Sequence, residues 1–133
     1  MTLAMKLELV PIPVADVDRA KAFYTGKLGF VVDVDVSPGE GVRIVQLTPP
    51  GSACSILLAT GLPAISDVAP GSVKGLHIVV RDIYQARETL AGRGVELGQI
   101  DVHDRGVKYV SFSDPDGNLW LLQEMPWRSP DFE

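Results

Sequence analysis

Cysteine is almost missing from this chain, basic residues are in the minority, and no long apolar run occurs. Each shortage removes a class of protein. Cys54 is the one cysteine in 133 residues, so no internal disulfide can form. Twelve lysines and arginines face 17 acidic residues. The resulting net charge of -5 and pI near 4.9 argue against nucleic acid or an anionic membrane as main partner, because both need a basic face to neutralise phosphate. No apolar stretch approaches the ~18 residues that cross a bilayer, and the opening M-T-L-A-M-K-L lacks the charged, apolar and small-residue sections of a signal peptide. The expectation is a cytoplasmic protein whose partner is a small molecule, with neither nucleic acid nor membrane involved. With 46% hydrophobic residues the chain can build one domain with a real core, and it is too short for two.

What is present repeats. V-A-D-V-D-R-A-K (14–21) falls on V-R-D-I-Y-Q-A-R (80–87), with Asp16 and Asp82 in register. L-G-F (28–30) then falls on R-G-V (93–95), and I-L-L (56–58) on W-L-L (120–122). Each half opens on a β-rich stretch, L-E-L-V-P-I-P-V or L-H-I-V-V. An Asp at an N-cap position follows, and then a helix-period segment whose stripe is Val17, Ala20, Phe23, Tyr24 and Leu28, or Ile83, Ala86 and Leu90. Gly29 and Gly94 follow these helices, as residues needing positive φ past a helix should. Three strand-like runs come next in each half: V-V-D-V-D-V, V-R-I-V-Q-L and S-I-L-L-A, then V-E-L-G-Q-I, K-Y-V-S-F-S and L-W-L-L-Q. The pattern is β-α-β-β-β twice: a first module over about 6–60, a Gly- and Pro-rich linker over 61–73, a second module over about 74–124, and a tail over 125–133 with little regular structure expected.

Two such modules, with F-Y-T-G-K-L-G-F closing the first helix and D-P-D-G-N before the last strand, resemble the vicinal oxygen chelate superfamily, the glyoxalase, bleomycin-resistance and extradiol-dioxygenase group. The resemblance runs from Leu7 to about Glu124. It implies an α+β fold in which eight strands form a curved, open barrel-like mixed sheet around a cavity, with the helices outside. It also implies a homodimer, paired edge to edge or by exchange of modules. The family's metalloenzymes hold a divalent ion by His, Gln or Glu from the first and last strand of each module. Those positions correspond here to Leu9, Leu57, Gly75 and Leu121, none of which can ligate a metal. A shift of one or two would bring in Glu8 or His77, but Leu57 and Leu121 would each need a shift of their own. No metal or other cofactor is therefore expected, and the superfamily's metal-free binders of drugs and natural products become the nearer comparison.

Strand alternation places further side chains on the face of those four positions: Leu7 and Pro11, Ser55 and Ala59, His77 and Val79, Leu119 and Gln123. Of these, Leu9, Pro11, Leu57, Ala59, Gly75, His77, Leu121 and Gln123 are the candidate ligand contacts, an apolar lining with two placed polar groups. The ligand expected is aromatic or largely apolar. The alternative is a metal-free lyase or isomerase with His77 as general base and Gln123 as hydrogen-bonding electrophile; a metal-dependent glyoxalase or dioxygenase is the third reading. Tyr109, Ser111 and Ser113 share one face of the seventh strand and Val110 and Phe112 the other, and the spacing leaves open which looks inward. Trp120, Phe23 and Tyr24 read as core, Cys54 as an inert small residue, and D-V-H-D-R-G around His103 and Asp104 as a loop. D-P-D-G-N fails as a calcium loop, because Gly117 precedes Asn118 and Met125 stands at the twelfth position; as a turn before the last strand it reads well.

Overall fold

A computed structural model describes residues 1–133. In chain order its elements are β1 (Leu9–Pro11), α1 (Val17–Gly26), β2 (Val31–Gly39), β3 (Val42–Thr48), β4 (Ser55–Thr60), α2 (Pro63–Ser66), β5 (Lys74–Val79), α3 (Ile83–Gly92), β6 (Asp101–Val102), β7 (Lys108–Ser113) and β8 (Leu119–Glu124). The two long helices begin where the sequence caps them. Asp16 accepts a hydrogen bond from the Arg19 amide at 3.1 Å, and Asp82 from the Gln85 amide at 3.0 Å, each satisfying an N–H that the first helical turn leaves unpaired. Past the helices, Gly29 and Gly94 take φ of 77° and 87°.

The duplication shows in the sheets. The first runs β1-β4-β3-β2 and the second β5-β8-β7-β6, with β1·β4 and β5·β8 parallel and the other neighbours antiparallel. The sheets stay open, four strands each, and do not close into a barrel. Each has one apolar face turned to the helices: Val45, Leu47, Ile56 and Leu58 from the first, Val110, Phe112, Trp120 and Leu122 from the second. These join residues of α1 and α3 in a single core of 17 buried residues. Helix α1 links the modules, since Phe23 lies 6.5 Å from Phe112 and Tyr24 5.8 Å from Trp120, ring centre to ring centre. Buried aromatic side chains of this size contribute ~2–3 kcal/mol each relative to exposure, so this cross-module packing is a principal cohesive term.

Several elements differ from what the sequence suggests, each for a local reason. β1 is only three residues long because Pro11 and Pro13 lack the N–H that a longer ladder needs, and it lies at a sheet edge where proline is tolerated. The run V-E-L-G-Q-I does not form a strand; it makes one bridge, Leu97 to Phe112, and the next strand, β6, starts only at Asp101. The Arg87 guanidinium takes the carbonyls of Gly98 at 2.8 Å and Leu97 at 3.2 Å, which removes them from any ladder. The linker contains the one-turn helix α2, started by Pro63, and the tail winds into 3-10 turns over Pro126–Phe132.

Candidate functional site

D-P-D-G-N joins β7 to β8, and its side chains are engaged in holding the modules together. The Asp114 carboxylate accepts from the Tyr24 hydroxyl at 2.7 Å, the Asn118 amide at 2.8 Å and the backbone N–H groups of Asp116 and Asn118. Asn118 also donates to the Pro13 carbonyl at 2.9 Å and accepts from the Val73 amide at 3.1 Å. Asp116 accepts from the Ala15 amide and from Arg19 at the start of α1. The cluster is a structural junction whose two Asp114 oxygens are both engaged, while the buried Asp116 Oδ2 has no hydrogen-bond partner.

The opposite, helix-free faces carry most of the residues proposed from sequence. Because Val110 and Phe112 are in the core, Tyr109, Ser111 and Ser113 take the free face of β7, which answers the question that the sequence leaves open. Register then fixes their neighbours: Tyr109 beside Gln123, Ser111 beside Leu121, Ser113 beside Leu119, and His77 on the far side of Leu121. Gln123 donates its amide to the Tyr109 hydroxyl at 3.0 Å. The His77 ring meets Tyr109 edge-on at 5.9 Å, and His103 meets it from the loop side at 5.3 Å. His77 Nδ1 lies 2.6 Å from the Gly75 carbonyl oxygen, which can only accept, so the neutral ring carries its proton on Nδ1 and presents the Nε2 lone pair.

Of the residues proposed from sequence, His77, Leu121 and Gln123 thus share one face of the second sheet, while Gly75, with φ 89°, sits at the register break between Lys74 and Leu76 and pairs with no residue of β8. Leu9, Pro11, Leu57 and Ala59 share the corresponding face of the first sheet, where Pro11 pairs with Leu57 and Ala59 with Ile44. Leu57 and Ala59 are buried although they stand outside the main core. Gln46, register partner of Leu57, donates to the Glu8 carboxylate at 3.1 Å, and Thr48 and Ser55 share a hydrogen bond at 2.6 Å. Two open recesses of about 570 Å³ each flank β7, one bounded by His103, Val107 and Tyr109, the other by Ser111, Ser113 and Leu119. Sequence reasoning left Tyr109 and His103 out of the candidate contacts, though Tyr109 adjoins His77 and Gln123 here and His103 adjoins Tyr109. The available signal was the alternation in Y-V-S-F-S, which matches W-L-L only if Val and Phe face the core.

The donor set does not fit a divalent ion. Leu9, Leu57, Gly75 and Leu121 offer no ligating side-chain atom, and no three His, Cys, Asp or Glu side chains converge anywhere in the fold.

Duplicated β-α-β-β-β units with two open four-stranded sheets define the class of fold. The chain belongs to the Glyoxalase/Bleomycin resistance protein/Dioxygenase superfamily, whose family model matches residues 6–122. It is similar to the crystal structure of TnmS3, an antibiotic binding protein from Streptomyces sp. CB03234, with 30% identity, a TM-score of 0.81, and coverage of 94% of this chain and 99% of that one. A superfamily member from Sphaerobacter thermophilus DSM 20745 is 33% identical with a TM-score of 0.79, covering 91% and 98%. Among curated proteins, the uncharacterised YetH of Bacillus subtilis (strain 168) is 28% identical over 116 residues, 86% of this chain and 94% of its own. No helix is long and apolar enough to cross a membrane.

Proposed function

We propose that the protein is a metal-independent binder of small organic molecules, holding an aromatic or largely apolar drug or natural product on the free sheet faces, and that it works in the cytoplasm as a homodimer. The observation that carries this reading is the contrast within one site. Every position where a metalloenzyme of the superfamily would place a ligand is apolar or glycine, yet Gln123 hydrogen-bonded to Tyr109, and His77 edge-on to the same ring, stand beside them. Such a lining suits ring burial with a few directed hydrogen bonds. TnmS3, described as an antibiotic binding protein, supports the same use of the fold. Purified protein is expected to contain no stoichiometric divalent metal and to gain thermal stability from aromatic antibiotics whether or not a chelator is present. About one ion per chain by elemental analysis, with ligand binding lost on chelation, would sink the reading.

A second reading has its own observation. With Nδ1 tied to the Gly75 carbonyl, His77 leaves Nε2 free for a general-base role. A metal-free lyase or isomerase would then lose about 10²- to 10⁴-fold in kcat on His77→Ala. Turnover within a few-fold of the parent excludes that role, and binding without turnover returns the first reading.

A further inference from the structure

We infer that the ligand has two parts, a ring system placed against Tyr109 and His77 and a neutral hydroxylated arm, of carbohydrate type, running along Ser111 and Ser113. The inference rests on the binding reading above and names the ligand class for that face. Tyr109, Ser111 and Ser113 alternate along one strand, so their side chains form a row on the free face, spaced by roughly 7 Å per two residues. One recess touches this row at Tyr109, and the other at Ser111 and Ser113, where Phe23, Lys27 and the 94–98 segment complete its wall.

The two ends differ in chemistry. At one, His77 and His103 stand edge-on to Tyr109, an arrangement that suits a flat ring. At the other, the hydroxyls of Ser111 and Ser113 are free. Ser52, Ser55 and Ser66 are engaged locally, with Cys54, Thr48 and Leu62, whereas these two, like Ser37, Ser72 and Ser129, make no side-chain hydrogen bond within the protein. Between the ends, the Tyr109 oxygen already accepts from Gln123, so its own proton is left to donate. Opposite Ser111 stands Gly98, where a Cβ would come within 3.1 Å of the serine Oγ; the missing side chain keeps the hydroxyl reachable. Hydroxyls that both donate and accept match a polyol, and the charged residues that line the recess, Lys27, Glu96 and Asp114, include both signs.

The experiment is calorimetric titration of the full chain with 4-methylumbelliferone and with its β-D-glucoside. The glucoside is expected to bind about five-fold tighter or better, the worth of one net hydrogen bond. Ser111→Ala/Ser113→Ala, and separately Gly98→Ala, should bring the glucoside to the affinity of the free phenol without changing the latter, and Tyr109→Leu should weaken both. Equal or weaker binding of the glucoside by the parent protein overturns the two-part ligand and leaves ring binding standing. A preference that survives both serine and glycine variants also overturns it. Binding of neither probe at about 1 mM overturns the inference and the binding reading together.

Discussion

Tyr24 joins the two modules through one oxygen. Its ring is fully buried, its hydroxyl donates to Asp114 at 2.7 Å, and the Trp120 indole N–H donates to it at 2.9 Å. Burial first, and the neighbouring Asp114 charge second, push this hydroxyl far above the ordinary tyrosine range. A group whose folded pKa is raised contributes stability that is complete below its unfolded value, near 10 for tyrosine, and is lost as pH rises beyond it. Stability should therefore fall above about pH 10 by ~1.4 kcal/mol per pH unit for this one proton. Tyr24→Phe keeps the ring but leaves an indole N–H and a carboxylate oxygen each short of a partner, a cost of about 2–3 kcal/mol at neutral pH. Urea melts of both proteins between pH 8 and pH 11 check the two statements together: the variant should begin lower and fall less steeply. Parallel curves would show that Tyr24 is not the titrating group.

The turn between β7 and β8 shows how far an element can be read without its partners. Pro115, Gly117 and the flanking Asp and Asn residues are a local pattern, and the turn forms where that pattern stands, with Gly117 at φ 94°. Helix caps are legible for the same reason, since Asp16 and Asp82 bond three residues ahead. The partners that give the turn its importance are not local: Asp114 meets Tyr24 across 90 residues and Asn118 meets Pro13 across 105. No spacing rule reaches that distance. The same limit hid Tyr109, whose face is decided by pairing of Val110 with Leu122 and of Phe112 with Trp120, and broke the strand expected at 95–100, where Arg87 from α3 takes the carbonyls. Asn118→Ala tests the element as a whole. It leaves the Val73 amide unpaired and takes one donor each from the Asp114 carboxylate and the Pro13 carbonyl, which keeps the Gly71 amide, and should cost about 2–3 kcal/mol in a chemical melt. A loss under about 0.5 kcal/mol, the level of an ordinary surface substitution, would mean that the turn only reverses the chain.

At the scale of the whole molecule, one face of each sheet is occupied by helices and the other is not. The free face of the first sheet carries Val31, Val34 and Val36 along its edge strand β2, exposed by 53%, 36% and 47%. Leu7, just ahead of β1, is 69% exposed. An uncovered edge strand and a row of apolar side chains are a surface that natural folds normally blunt or bury. Asp33 and Asp35 alternate with these valines, but they are turned to other partners, Asp33 to Thr48 and Asp35 to Lys21 and Arg43, whose hydrogen bonds, Arg43 first, hold the Asp35 carboxyl down at about 2. The charges on β2 therefore protect the strand less than its sequence suggests. A second copy of the chain is the proposed cover, and its apolar face would supply the other wall of a cavity whose polar groups lie on the second sheet. Val34→Glu/Val36→Glu is the test, because both positions are solvent-exposed in the single chain and their replacement should alter its intrinsic stability by no more than about 0.5 kcal/mol. Sedimentation should find the parent as a dimer and the variant as a monomer, with ligand-induced thermal stabilisation lost alongside. A parent that sediments as a monomer at about 100 μM, well above the Kd of a stable dimer, or a monomeric variant that binds ligand as the parent does, would show that one chain holds the complete site.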